Sequence, residues 1–156
     1  DDLLLKCDLP LEAKRHRPLH RVEKIWQQST SVQIVDQNTL NHTSLINILG
    51  AGNSGAMNNN HPSGIGWATI ASNYQGAKNN IVVGAVDHAD YPENYSSKGP
   101  LPDGRIKPDV MAQGTAAVVS DTGGNITTIN GTSFSCPIMA GMIACLWQAF
   151  PSKTNK

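Results

Sequence analysis

The chain has 156 residues, a length that predicts one domain or part of one. Its 12 acidic and 12 basic side chains cancel, so its charge gives no reason to expect nucleic acid or an anionic membrane as a partner. The longest apolar run, residues 137–147, is too short to cross a bilayer, which needs roughly 20 residues, and no membrane span is predicted. The 39% of hydrophobic residues is enough for a core.

The N-terminal segment, residues 1–31, carries no motif and is left unassigned. Apolar side chains at helical spacing within residues 19–26 predict a short amphipathic helix there. No signal peptide is visible and the first residue is Asp1 rather than Met, so we expect a chain that is processed, truncated or cut from a longer reading frame.

Predicted elements follow in chain order from residue 31. A helix is expected from Ser31 to about Asn41, and then a short buried strand, residues 45–49, runs into a glycine-rich turn. Residues 81–86 are apolar without interruption, which is typical of a strand in a parallel sheet covered on both faces. Residues 110–112 predict another short strand.

The C-terminal third is predicted as a hairpin followed by a helix. Residues 116–119 and 126–129 are the expected hairpin strands, with a turn over residues 121–125. Residues 134–150 contain no charged side chain and are apolar on nearly every side of a helix. This pattern predicts a central helix that is packed on both sides. Cys136 and Cys145 lie in this stretch and are expected to be buried.

Ser133 stands where this helix begins. Unpaired backbone N–H groups and the helix dipole favour negative charge at such a position, and the tetrahedral intermediate of acyl transfer is an oxyanion. Taken alone, Gly-Thr-Ser would be interpreted as a helix cap, because serine is a favoured capping residue.

A longer string changes that interpretation. Residues 131–141 read Gly-Thr-Ser-Phe-Ser-Cys-Pro-Ile-Met-Ala-Gly, which closely resembles the nucleophile signature of the subtilase family of serine proteases. The resemblance implies that Ser133 is the nucleophile. It also implies an α/β fold, a mostly parallel sheet flanked by helices with a central buried helix after the nucleophile.

Further strings extend the resemblance over about residues 32–150. Residues 50–55, Gly-Ala-Gly-Asn-Ser-Gly, resemble the turn that carries the subtilase oxyanion asparagine, which implies that role for Asn53. Ala51 and Gly52 match the strand that lines the family's primary specificity pocket. Residues 95–100 and 104–110 look like the family's Ser-Ser-x-Gly-Pro turn and its Lys-Pro-Asp-Val strand entry. Taken alone, Asn53 would be an Asx turn at a glycine-rich corner.

Two parts of the family's catalytic set are missing. A serine nucleophile needs a base and an acid that orients it, and the chain order in subtilisin is Asp, His, Ser. None of the five histidines, His16, His20, His42, His61 and His88, is followed by the Gly-Thr of the family's histidine string. One alternative is that His16 or His20 acts as the base in place of the family's histidine. The favoured interpretation is that both are solvated surface side chains.

Residues 121–123, Asp-Thr-Gly, spell the family's aspartate motif on the wrong side of Asn53 for a subtilase. The same tripeptide occurs in aspartic proteases, which need two such carboxylates. This chain has one copy, so an aspartic protease would require a homodimer, and ordinary turn composition is the favoured interpretation.

The sequence therefore predicts a serine endopeptidase present as a fragment, with residues 32–150 as the partial catalytic domain and residues 151–156 as a tail. The alternative is an inactive subtilase-like binding or structural module. The expected partners are a protein or peptide substrate and the missing N-terminal part of the same catalytic domain. No cofactor or metal-binding residue is identified, although the family leaves room for structural calcium. An extracellular or cell-envelope location is implied by the resemblance only.

Overall fold

The computed structural model of the protein describes residues 30–70 and 74–155. These residues form two α-helices, five β-strands and a short 3-10 helix, Tyr74–Gly76. In chain order the regular elements are α1 (Thr30–Asn41), β1 (Asn47–Gly50), β2 (Asn80–Val86), β3 (Val110–Gln113), β4 (Ala117–Ser120), β5 (Ile126–Ile129) and α2 (Thr132–Ala149). The helix predicted within residues 19–26 lies outside the described residues.

The main sheet has three parallel strands in the order β1-β2-β3. Ile48 of β1 is paired with Ile81 of β2, and Val83 of β2 with Val110 of β3. Val82 and Val83 have no exposed surface, as expected for an uninterrupted apolar run at the centre of a covered sheet. The predicted α/β fold with a mostly parallel sheet is confirmed.

Helices cover the sheet. α2 contacts all three parallel strands, whereas α1 contacts β2 and the 3-10 helix. After α2 the chain returns to the end of α1, where Asn155 Nδ2 lies 2.9, 2.9 and 2.7 Å from the carbonyl oxygens of Thr39, His42 and Leu45. These carbonyls lie at or just beyond the C-terminal end of α1, where backbone acceptors lack intrahelical partners.

Strands β4 and β5 form the predicted antiparallel hairpin, with Ala117 opposite Ile129. Its turn is organised by Asp121, whose Oδ1 accepts from the backbone N–H groups of Gly123 (2.8 Å) and Asn125 (2.9 Å). This is the turn composition expected from the sequence, since an Asp side chain in a hairpin loop replaces backbone partners.

The burial of α2 differs from the expectation. The helix is present, but Ile138, Met142, Leu146 and Phe150 are 46%, 60%, 61% and 54% exposed, although the sequence predicts packing on both sides. Cys145 is also exposed and Cys136 is only half-buried, so the prediction that both thiols are buried was wrong. The physical reason is that the three-stranded sheet covers one side of α2, and the described residues provide nothing to cover the other.

Candidate functional site

The C-terminal end of β1 and the N-terminal end of α2 meet at one edge of the sheet. A Cβ added at Gly50 would lie only 3.0 Å from the carbonyl oxygen of Thr132, so glycine permits an unusually close approach of the two backbones. On the β3 side, the Gly131 N–H donates to the carbonyl of Gly114 at 2.8 Å. The residues before Ser133 therefore lie between the C-terminal ends of β1 and β3, the two outer strands of the sheet.

Ser133 is the second residue of α2 and is exposed. The N-cap residue is Gly131, which has no side chain to cap the helix, so Ser133 is not the capping residue. The first N–H groups of a helix have no intrahelical acceptor. Within residues 30–70 and 74–155 no hydrogen bond uses the Ser133 N–H, which leaves that donor available beside the hydroxyl.

The Asn53 side chain lies against the same turn. Its Oδ1 accepts from the backbone N–H of Thr132 at 2.9 Å and from the Thr132 hydroxyl at 3.1 Å. Because a backbone N–H can only donate, the atom facing it must be the oxygen, and this fixes which way the amide is turned. The Nδ2 atom is left without a hydrogen bond in the described part of the chain, on an exposed residue adjoining the nucleophile turn.

Ala51 and Gly52, the predicted substrate-binding residues, lie between β1 and Asn53. Ala51 has no exposed surface and its N–H donates to the carbonyl of Val83 at 2.8 Å, so its contribution to a site is through packing. Gly52 is partly exposed and has φ +102°, a left-handed conformation that favours glycine. Its N–H donates to the Thr132 hydroxyl at 3.1 Å.

The histidines of the described residues do not reach this site through hydrogen bonds. His42 follows α1 and is exposed, and His61 Nδ1 accepts from the Ser63 N–H at 3.2 Å within its own loop. His88 Nε2 lies 3.4 Å from the side-chain amide of Gln113. His16 and His20 lie outside the described residues.

The Asp-Thr-Gly sequence is part of the β4–β5 turn. Hydrogen bonds from Asn125 lower the pKa of Asp121 below the ordinary carboxyl value, with the larger effect from its backbone N–H and the smaller from its side-chain amide. A fully exposed carboxylate held by turn donors has the role expected of an Asx turn. It differs from the paired carboxylates sharing a proton that an aspartic protease requires.

No group of three or more His, Cys, Asp or Glu side chains suited to a metal ion occurs in the described residues. Across the same residues, neither helix combines the length and hydropathy needed to cross a bilayer.

Two residues make contacts in the site that the sequence did not predict. Thr132 holds Asn53 Oδ1 and also accepts from Gly52, and Ser97 contacts both neighbours of Asn53. Both residues stand inside strings that resemble the subtilase pattern. The signal marked the strings as relevant but did not indicate which atoms they bring together.

Comparison with known proteins identifies the family of the chain. The model of the subtilase family matches residues 20–156. The chain is 27% identical over 141 residues to the subtilisin-like protease SBT6.1 of Arabidopsis thaliana. The aligned region covers 86% of this chain and 12% of that protein.

Two solved structures share the fold. Sphericase has a TM-score of 0.54 at 22% identity, covering 86% of this chain and 52% of its own. The prenylagaramide maturation protease PagA has a TM-score of 0.56 at 20% identity, covering 80% of this chain and 39% of its own. The chain thus spans about an eighth of the curated relative and roughly half or less of these two structures.

Proposed function

Because the chain belongs to the subtilase family of serine proteases, we propose that it is the nucleophile-bearing part of an endopeptidase catalytic domain, extending over about residues 32–150. Ser133 is the nucleophile in this proposal and Asn53 is the oxyanion donor. The substrate is a protein or peptide, whose scissile carbonyl becomes an ester of Ser133 during turnover.

One observation carries the proposal: Asn53 Oδ1 accepts from the Thr132 N–H at 2.9 Å. This contact joins two strings that are far apart in the sequence and turns the amide so that Nδ2 is the outward atom. A fixed donor next to an exposed serine is what acyl transfer needs, because the negative charge of the intermediate develops beside the attacked carbon.

The reaction would proceed in two steps. Ser133 Oγ attacks the carbonyl carbon while its proton passes to a base, and the oxyanion accepts hydrogen bonds from the Ser133 N–H and Asn53 Nδ2. The amine leaves with a proton from the base, giving the acyl-enzyme, and water then releases the acid. Subtilisin is itself the standard example of such a donor, and losing it there costs about 10²–10³ in turnover.

A base and its orienting acid would come from a preceding part of the same catalytic domain. The exposed face of α2 supports this, since Met142 and Leu146 are apolar and 60% and 61% exposed. A soluble domain seldom leaves such a row of apolar side chains uncovered. The proposed location, outside the cell or in the cell envelope, rests on the family alone.

The alternative is a binding or structural module without catalysis. No described histidine hydrogen-bonds to Ser133, which is the observation that favours it. Intact Ser133 and Asn53 side chains in matching positions favour the protease.

A fluorophosphonate probe separates the two proposals. We expect no more than trace labelling of the 156-residue chain and full labelling of a longer protein in which an upstream Asp and His complete the set. Ser133→Ala should abolish labelling, whereas Ser120→Ala, which removes an exposed serine on β4, should leave it unchanged. An unlabelled longer protein would support the binding module. Full labelling of the 156-residue chain would contradict the proposal that this chain lacks a working base.

A further inference from the structure

The turn that carries Asn53 is held by one residue from another part of the chain. The backbone N–H of Ser97 donates to the carbonyl of Gly52 at 2.9 Å, and the hydroxyl of Ser97 accepts from the backbone N–H of Ser54 at 3.0 Å. Ser97 thus bonds to the residue before Asn53 and to the residue after it. Neither bond involves the Asn53 side chain.

The fit around Ser97 is close. Ser97 is 1% exposed, and a Cβ added at Gly52 would lie 3.1 Å from its Oγ. The Gly55 N–H donates to the carbonyl of Tyr95 at 2.8 Å, and a Cβ at Gly55 would lie well inside contact distance of the carbonyl of Ser96. The segment around Ser97 therefore lies directly on the asparagine turn and limits how far that turn can move.

We propose that Ser97 is a positioning residue for the oxyanion donor. By bonding on both sides of Asn53, it fixes the two peptide units from which that side chain projects, and Thr132 then fixes the amide itself. The inference rests on the proposed role of Asn53. A displacement of about 1 Å can cost roughly 10²-fold in an enzymatic reaction, so a turn that positions a donor matters even without touching substrate.

Ser96 provides a matched control. It is also a buried serine, 3% exposed, and its Oγ also accepts from a backbone N–H. Its donor, however, is Ala85 in β2 at 3.0 Å, which is not in the asparagine turn. Ser96→Ala and Ser97→Ala each remove one buried hydroxyl that accepts from a backbone N–H, so we expect similar effects on stability. They differ in which backbone segment loses its partner.

The first test uses the 156-residue chain and needs no catalysis. Amide hydrogen exchange of Thr132 reports whether Asn53 Oδ1 stays in place. We expect Ser97→Ala to raise the Thr132 exchange rate by about tenfold relative to Ser96→Ala at equal global stability. Ser97→Cys replaces the hydroxyl by a larger atom that is a weaker acceptor and should shift the rate in the same direction, and it is the second variant if Ser97→Ala does not fold. Equal Thr132 exchange in the Ser96 and Ser97 variants would overturn the proposal.

The second test is a double-mutant cycle in the longer, labelled protein. If Ser97 acts through Asn53, Ser97→Ala should slow labelling roughly tenfold in the native background and have almost no effect when Asn53→Ala is already present. Equal slowing in both backgrounds would show a structural role only and overturn the proposal. Should the longer protein not be labelled at all while Thr132 exchange still rises in Ser97→Ala, the proposed protease function fails and the positioning of Asn53 by Ser97 stands.

Discussion

The backbone N–H of Thr132 donates to Oδ1 of Asn53 at 2.9 Å, although the two residues are 79 positions apart. The contact links the turn after β1 to the first residue of α2. It depends on the chain being folded, because nothing local holds either partner near the other. Whether this hydrogen bond is formed therefore reports both that the edge of the sheet is folded and that the Asn53 amide is in position at the candidate site.

Substitutions at Asn53 should separate its two roles. Asn53→Asp keeps an acceptor for Thr132 but loses the Nδ2 donor, so we expect near-native stability. Asn53→Leu has a similar size and loses both, leaving the Thr132 N–H unpaired at a cost of about 1–2 kcal/mol. Urea unfolding measures both variants. A leucine variant as stable as the native chain would mean that the Thr132 bond contributes nothing to stability.

In the longer protein, both Asn53 variants should lose reactivity toward a fluorophosphonate by roughly 10² or more, since neither offers a neutral amide donor. Native reactivity in Asn53→Asp would contradict the role given to Nδ2.

Lys107 should be important for stability. It is 5% exposed, and its ammonium lies 3.1 Å from the backbone carbonyl oxygen and side-chain Oδ1 of Asn80 and 2.6 Å from Asp109 Oδ2. Lys107→Met keeps the length but removes the donor from the two Asn80 oxygens, whereas Asp109 Oδ2 still accepts from the Val82 N–H at 2.7 Å. We therefore expect a loss of about 2 kcal/mol. Lys98→Met removes a lysine that lies over the ring of Trp67 at 5.9 Å and should cost well under half as much. Equal losses in urea titrations would contradict this ranking.

The hairpin turn should respond to acid. Hydrogen bonds from Asn125 lower the pKa of Asp121, so the folded turn prefers the ionised carboxylate. Its contribution is therefore fully present above the ordinary carboxyl pKa of about 4 and is lost as the pH falls through the lowered value. Carboxyl chemical shifts of Asp121 followed by NMR measure this. Asn125→Ala removes the side-chain donor and should raise the midpoint, and an unchanged midpoint would exclude that bond as a cause.

Isolated chains should associate through the exposed face of α2. Met142→Glu combined with Leu146→Glu should shift sedimentation toward monomer at little cost to stability, since both side chains are largely exposed. Val118→Glu places a charge at a 70% exposed apolar residue of the hairpin and serves as the control. If the native chain is already a stable monomer at all concentrations, the uncovered face does not drive association.

The sequence predicted the elements well where a local pattern decides the structure. The uninterrupted apolar run of β2 and the turn at Asp121 both follow from nearby residues, and both were found in place. The exposed side of α2 could not be predicted, because an apolar pattern shows that a surface prefers burial but not whether anything is there to cover it. Cys145 is exposed for the same reason.

The sequence proposed residues for the candidate site but did not indicate the contacts between them. Strings of sequence pointed to Ser133 and Asn53, and the two turns lie side by side in the structure. That Thr132 turns the Asn53 amide and that Ser97 bonds to both of its neighbours are long-range relations between backbone atoms. Backbone N–H and carbonyl groups are the same in every residue, so their pairing leaves no mark in the sequence.

The order of the parallel sheet also limits how a base could be delivered to Ser133. β1 is an outer strand, paired only with β2 among the described residues, and its C-terminal end adjoins the nucleophile turn. A further strand added parallel to β1 on its open side would have its C-terminal end at the same edge, because parallel strands run in the same direction. The position beside β1 is therefore the one from which the C-terminal end of an added strand would lie nearest Ser133, since each further strand would lie about 4.8 Å farther away.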